Sequence, residues 1–133
     1  MTTTRAPVHT TTIPIRWGDM DAQGHVNNTI YFRYMEQARI EWLERVAELI
    51  GPVSGLGSVI VNASCTFIEP LAHPGTVEVR MFVGPPGRSS VDTQYEVWVG
   101  ARKCAEGAAK LVWIDHATQR STPLPEALRA LLR

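Results

Sequence analysis

Hydrophobic and polar residues alternate with two different periods along the chain, and each period predicts one kind of element. Thr11, Ile13, Ile15 and Trp17 alternate with more polar residues, which predicts a half-buried strand over residues 9–17. Pro14 within this strand indicates a sheet edge or a bulge. From residue 29 onward, apolar residues recur at steps of three and four, the period of an amphipathic helix. The members of this apolar stripe are Tyr31, Met35, Ala38, Trp42, Val46 and Leu49.

The predicted helix has a clear start and a clear end. Asn28 is a suitable N-cap, and Gly51 followed by Pro52 stops the helix. Its length of about 22 residues corresponds to about 33 Å, enough to cross a sheet. The glycine-rich residues 51–58 follow a helix and precede a strand. This is the reverse of the order in a phosphate-binding turn, so we interpret them as a connection.

Four later segments, rich in β-branched and aromatic residues, predict further strands over residues 59–68, 76–83, 89–100 and 108–117. Residues 70–75, 84–87 and 101–107 separate them and have the composition of turns, which favours an antiparallel meander. Residues 123–133 predict a short final helix. One strand, one long helix and four strands predict a single α+β domain over residues 1–133, with the sheet wrapped around the helix.

Composition excludes several classes of protein. The chain has 133 residues and 14.7 kDa, and its 13 basic and 13 acidic residues balance to a net charge of zero. No overall field therefore attracts it to nucleic acid or to an anionic membrane. No apolar run of about 18 residues and no signal-peptide core is present, so we expect a soluble cytoplasmic protein with no membrane partner.

Metal and nucleophilic-serine chemistry have no support in the sequence. Cys65 and Cys104 are too few for a disulfide scaffold and too isolated for a metal motif, so we expect reduced core residues. The four histidines show no metal-ligand spacing, and no Gly-x-Ser-x-Gly motif occurs. We expect neither a metal nor another cofactor.

The polar loop before the helix carries the most specific pattern, Asp-x-Asp-x-x-Gly-His-Val-Asn-Asn-x-x-Tyr, over residues 19–31. This segment closely resembles the active-site segment of the 4-hydroxybenzoyl-CoA thioesterase and related acyl-CoA thioesterase family, which has the hotdog fold. The resemblance implies a sheet of five or so antiparallel strands around the helix. It also implies pairing with a second subunit as a homodimer or homotetramer, with the thioester bound at the interface.

Thioester hydrolysis needs an activated attacking oxygen and hydrogen-bond donors for the developing oxyanion. The resemblance gives Asp21 the role of nucleophile or general base. Asn28 and the neighbouring backbone N–H groups offer unpaired donors at the helix start, where they can polarise a carbonyl oxygen. His25 either orients water or Asp21, or satisfies a nearby carbonyl as an ordinary loop histidine. Gly24 provides a hinge beside them and is expected to contribute to substrate binding, and Asp19 is expected to fix the loop through backbone hydrogen bonds.

Other candidate residues belong to substrate binding or to subunit contact. Tyr31 lies on the apolar stripe, where it serves the core or an acyl pocket. Arg88, Ser89 and Ser90 resemble the basic-residue-plus-serine segment that contacts the nucleotide of coenzyme A, the alternative being a solvated hairpin. Ile40 is an apolar residue on the far side of the helix, which indicates a subunit contact.

Glu36 is a second candidate carboxylate, because one branch of the hotdog thioesterases uses a carboxylate on the helix. It points toward the polar side of the helix, and we expect it to be solvated or interfacial. The predicted function is therefore an acyl-CoA thioesterase that releases a carboxylic acid and coenzyme A, or a thioesterase acting on an acyl carrier protein. The alternatives are a thioester hydratase or dehydratase and a non-catalytic acyl-thioester-binding domain.

Overall fold

A computed structural model describes residues 5–132 as one long helix packed against an antiparallel sheet. The amino-terminal residues 1–4 and Arg133, the last residue of the predicted final helix, lie outside the described residues. The elements are β1 His9–Pro14, α1 Asn28–Ile50, β2 Leu56–Phe67, β3 Thr76–Val83, β4 Ser90–Val99, β5 Arg102–Asp115, β6 Arg120–Ser121 and α2 Glu126–Leu132.

The strand order β1-β3-β4-β5-β2 confirms the predicted α+β class, with the two-residue β6 added beside β5. All pairs are antiparallel, as expected for a hotdog fold. The predicted meander is correct for β3, β4 and β5 but wrong for β2, which crosses to the far side of β5. β1 is an edge strand, as Pro14 indicates, and ends there; Trp17 instead begins a 3-10 turn, Trp17–Asp19, and is 75% exposed.

Helix α1 buries the predicted stripe against the sheet, from Tyr31 to Val46. Two details of the prediction were wrong. The N-cap is Asn27 and not Asn28, because the Asn27 side chain accepts the Thr29 N–H and Asn28 is the first helical residue. Leu49 is 64% exposed. Gly51 ends the helix with φ 81°, as predicted.

Strand β5 begins six residues earlier than predicted. Residues 101–107 have the charged and small side chains of a turn, but the reversal is completed at residues 100–101, where Gly100 has φ 57°. Cys104 and Ala105 are then buried within β5. Gly107 has a packing role, because a Cβ there would overlap the Met35 sulfur of α1. The missing side chain therefore allows the helix to approach the sheet closely.

Strand β2 forms an edge that the rest of the described chain leaves uncovered. Its burial pattern is exposed over most of its twelve residues, although β5 pairs with it along its whole length. Val61 lies at a bulge and is 57% exposed, and Phe67 is 42% exposed. A long, apolar and unpaired edge is a site for strand pairing with another chain.

Within residues 5–132, no helix is long and apolar enough to cross a membrane.

Candidate functional site

The loop between β1 and α1 is held in one compact shape by its own backbone. Met20 and Val26 form an isolated antiparallel bridge, and the Asp21 N–H donates to the His25 carbonyl oxygen at 3.0 Å. The Gly24 N–H in turn donates to the Asp21 carbonyl oxygen at 3.0 Å. Gly24 has φ 80°, a conformation that side-chain-bearing residues rarely adopt. Gly24 is therefore a turn residue that closes the loop around Asp21.

The Asp21 carboxylate lies exposed on this loop and both of its oxygens accept hydrogen bonds. Oδ1 accepts the Gln23 N–H at 2.9 Å, and Oδ2 accepts from Asn27 Nδ2 at 3.3 Å. The two bonds fix the orientation of the carboxyl plane, yet each oxygen has a further lone pair available. Asp21 is thus an oriented, solvent-accessible carboxylate, which suits a general base or a nucleophile.

Asp19 anchors the loop to the helix, and this anchor includes Tyr34, a residue that the sequence analysis missed. Tyr34 Oη donates to Asp19 Oδ2 at 2.7 Å, and the Arg16 N–H donates to the same oxygen at 2.9 Å. The Asp19 carbonyl oxygen also accepts the Asn27 N–H at 2.9 Å. Burial, followed by the hydrogen bond to Asp19, raises the pKa of Tyr34 above its ordinary value. The predicted structural role of Asp19 agrees with these contacts.

The start of α1 offers one free backbone donor. The Thr29 N–H donates to Asn27 Oδ1 and the Ile30 N–H donates to the Asn27 carbonyl oxygen, each at 2.9 Å. The Asn28 N–H has no acceptor within residues 5–132. An unpaired N–H in the first turn carries the partial positive charge of the helix end and can polarise a carbonyl oxygen.

A cleft of about 240 Å³ opens beside this free N–H, between the start of α1 and the end of β2. Its lining includes His25, Asn28, Tyr31, Phe67 and Glu69. Asp21 does not line the cleft, so a single chain brings Asp21 close to the helix start but not into the cleft itself. The Glu69 carboxylate is engaged by Arg102 at 2.7 Å.

Tyr31 is a core residue that also lines the cleft, and its role in an acyl pocket stays a prediction. Its ring is 2% exposed and packs edge-on against Phe67, with the ring centroids 4.9 Å apart, while its outer surface lines the cleft. Burial raises the pKa of Tyr31, so its phenol remains protonated at neutral pH.

The candidate nucleotide-binding turn lies far from the cleft within one chain. Arg88 is exposed and Ser89 and Ser90 are half-buried, at the connection between β3 and β4. Ser90 pairs with Val112 of β5, whereas Phe67 beside the cleft pairs with Ala105, seven residues away along the same strand. At about 3.3 Å per residue, this separation is about 23 Å.

The carboxyl-terminal segment holds that turn in place. Arg129 of α2 donates through Nη2 to the Gly87 and Arg88 carbonyl oxygens at 2.9 and 2.8 Å. The Leu124 N–H donates to the Arg88 carbonyl oxygen at 3.0 Å. The Arg88 side chain is thus presented from a fixed backbone.

Glu36 and the two cysteines are the remaining candidates, and their surroundings do not favour a catalytic role. Glu36 is solvated and pairs with Arg33 at 3.2 Å, as predicted for the polar side of the helix. Burial raises the pKa of the Cys65 thiol to about 11, so this thiol is a poor nucleophile at neutral pH. Both cysteines are free. No group of three or more metal-ligating side chains assembles within residues 5–132.

Three comparisons with known proteins agree with this architecture. The family model of the Thioesterase-like superfamily matches residues 15–132. A candidate esterase from Aquifex aeolicus is 31% identical over 86 residues, which cover 63% of this chain and 67% of the relative.

Solved structures give a closer match. A candidate thioesterase from Pseudomonas aeruginosa is 40% identical, with a TM-score of 0.85 over 96% of this chain and 99% of that one. A thioesterase from Thermus thermophilus, crystallised with coenzyme A and Zn, is 28% identical, with a TM-score of 0.83 over 98% and 95% of the two chains.

Proposed function

The chain belongs to the Thioesterase-like superfamily, and on that premise we propose that it hydrolyses acyl-CoA thioesters to a carboxylic acid and coenzyme A. The family and the thioesterases among the similar structures confirm the coarser prediction of a thioester hydrolase. One observation carries the finer proposal: an oriented carboxylate, Asp21, is hydrogen-bonded through Asn27 to a helix start whose Asn28 N–H has no acceptor in the described chain.

The proposed reaction uses these two groups in a single addition and elimination. The Asp21 carboxylate takes a proton from water as the water oxygen attacks the thioester carbonyl carbon. The carbonyl oxygen becomes an oxyanion and accepts a hydrogen bond from the Asn28 N–H. The C–S bond then breaks, and the proton is passed from Asp21 to the departing thiolate.

A direct attack by Asp21 is the other possible course. The carboxylate oxygen then bonds to the carbonyl carbon and expels the thiolate, and water hydrolyses the resulting mixed anhydride. Appearance of ¹⁸O in the Asp21 carboxylate after a single turnover in H₂¹⁸O identifies direct attack, with water adding to the Asp21 carbonyl carbon of the anhydride.

We place the coenzyme A moiety on a second copy of the chain. Within one chain, Ser90 beside the Arg88 turn and Phe67 beside the cleft lie about 23 Å apart along the sheet. In a second copy that pairs antiparallel along β2, the uncovered edge, the strands run in the opposite direction. This pairing brings Arg88 of the partner subunit toward the loop of the first chain. Ser89 and Ser90 accompany it as donors to phosphate, and Arg88 supplies the charge.

The activity is tested by thiol release from a panel of short, long and aromatic acyl-CoAs. We expect Asp21→Asn to lower kcat by about 10²–10⁴-fold, the usual effect of losing a general base. Asp92→Asn, at an exposed carboxylate on β4, is the matched control and should retain activity. Full activity in Asp21→Asn excludes it as the base, and binding of thioesters without any cleavage indicates a non-catalytic binding domain.

Mixing two impaired variants tests the shared site. We expect Arg88→Ala to impair acyl-CoAs more than short thioesters that lack the nucleotide. If the site is shared, mixed dimers of Asp21→Asn and Arg88→Ala contain one intact site, and the mixture recovers about one quarter of wild-type activity. A mixture whose activity is only the average of its two components places both residues in one chain's site.

A further inference from the structure

The amide of Asn27 lies between the helix start and the Asp21 carboxylate and contacts both. Its Oδ1 accepts the Thr29 N–H at 2.9 Å and the Thr29 hydroxyl at 2.6 Å. Its Nδ2 donates to Asp21 Oδ2 at 3.3 Å. The oxygen of the Asn27 amide therefore caps the helix, and the nitrogen of the same amide contacts the Asp21 carboxylate.

The direction of this amide is determined by its partners. The Thr29 N–H is a donor only, so the atom facing it must be the Asn27 oxygen. The nitrogen is then forced to the opposite side of the amide, where Asp21 lies. Because Oδ1 is held by two donors, the Asn27 side chain cannot rotate away from Asp21 without losing the helix cap.

We infer that Asn27 is a positioning residue, which couples the orientation of the Asp21 carboxylate to the first turn of α1. This inference rests on the proposed role of Asp21. The Gln23 N–H holds Oδ1 of Asp21, so the Asn27 bond to Oδ2 is the second of two constraints on the carboxyl plane. The same residue precedes Asn28, whose free N–H is the proposed oxyanion donor. The Asn27 side chain therefore fixes the position of the proposed base, Asp21, relative to the proposed oxyanion donor, the Asn28 N–H.

Two substitutions at position 27 separate the cap from the contact with Asp21. Asp and Ser both cap helices as well as Asn does. In Asn27→Asp the donor is replaced by an oxygen that repels the Asp21 carboxylate, and in Asn27→Ser the side chain is too short to reach Asp21. Thr29→Ala is the matched control, because it removes a hydrogen bond from the cap but leaves Asn27 Nδ2 in place.

We expect both Asn27 variants to lower kcat by about 10- to 100-fold, as misplacing a reacting group does, with little change in KM. The Tm of Asn27→Ser should stay within about 2 °C of wild type, since the cap is kept, whereas Asn27→Asp should lose some stability at neutral pH because its carboxylate repels Asp21. In Asn27→Asp, the acid-side fall of the rate should also move to higher pH, because two neighbouring carboxylates resist ionising together. The other titratable groups near Asp21 are Asp19 and His25 on the loop and His73 beside it. They are the same in all of these variants, so they do not account for a difference between the pH profiles. Thr29→Ala should lose stability but keep kcat.

Wild-type kcat in both Asn27 variants, or an equal loss in Thr29→Ala, overturns the inference. A wild-type protein without thioesterase turnover refutes the proposed function instead. In that case NMR titration of the Asp21 carboxyl carbon still tests the contact between position 27 and Asp21. The titration should move to higher pH in Asn27→Asp, and an unchanged titration overturns the contact.

Discussion

The hydrogen bond from Tyr34 to Asp19 should contribute measurably to both stability and activity. Tyr34 is 4% exposed, and its hydroxyl reaches Asp19 Oδ2 at 2.7 Å. In Tyr34→Phe the carboxylate keeps only the Arg16 N–H at that oxygen. Hydrogen bonds to charged groups contribute about 1.5–3 kcal/mol. Asp19 is half-buried, so water replaces part of the lost hydrogen bond. We therefore expect Tyr34→Phe to lower the free energy of unfolding by about 1.5 kcal/mol.

For a chain of this length, that cost corresponds to a fall in Tm of about 5 °C. Urea unfolding followed by tryptophan fluorescence measures it, in a double-mutant cycle with Asp19→Ala that removes the acceptor and isolates the pairwise contribution. We also expect kcat to fall, because Asp21 lies two residues from the released anchor. A coupling free energy below about 0.3 kcal/mol would mean that Tyr34 and Asp19 act independently and would refute this reasoning.

The pKa of Tyr34 adds a test with a defined sign. Its folded-state pKa is raised above the ordinary 10.0, so the folded protein keeps this proton where the unfolded chain releases it. The stability contributed by the neutral phenol is complete below pH 10.0, the ordinary pKa, and is lost as pH rises through the folded-state pKa. Tyr34→Phe should remove that part of the alkaline loss, and an identical alkaline slope in the two proteins would contradict the assignment.

Three further predictions concern other parts of the fold. Gly107→Ala places a methyl group against the Met35 sulfur, so it should cost about 2 kcal/mol in urea unfolding, with partial recovery when Met35 is shortened to Ala. Arg129→Ala releases the turn that carries Arg88 and should raise KM about threefold to tenfold for acyl-CoAs but not for short thioesters. Burial acts to raise the pKa of Glu41, but hydrogen bonds from neighbouring side chains outweigh burial and leave the pKa lowered. The resulting stability is present above pH 4.5, the ordinary pKa, and is lost as pH falls through the lowered one, so Glu41→Gln should flatten the acid side of the stability profile.

The sequence predicts most of the elements because their periods are long and regular. The stripe from Tyr31 to Val46 runs along most of the helix, and the structure buries all of it. The start of β5 was harder to predict, since Cys104 and Ala105 are buried within a run of charged and small residues that looks like a turn. The crossing of β2 to the far edge involves pairing over a long sequence separation, which no local period contains.

The loop shows the same contrast between local pattern and tertiary contact. The motif marks Asp21 and the helix start, but two adjacent asparagines are equally good caps by composition, and only backbone geometry distinguishes Asn27 from Asn28. Tyr34 lies one turn beyond Tyr31 on the same helix face, and that spacing was the available signal for its contact with the loop. Its partner Asp19, fifteen residues earlier, is visible only once the loop is folded.

Exposure of the site argues for its completion by a second chain. Asp21 and Asn28 are both exposed, and the cleft beside them is open to solvent. Electrostatic stabilisation of an oxyanion is strong only where bulk water is excluded, so an open site of this kind stabilises the transition state poorly. The uncovered apolar edge of β2 ends at Phe67, beside the same cleft. If a partner strand in the proposed dimer covers this edge and the cleft beside it, one association would both bury the exposed apolar side chains and exclude water from the thioester.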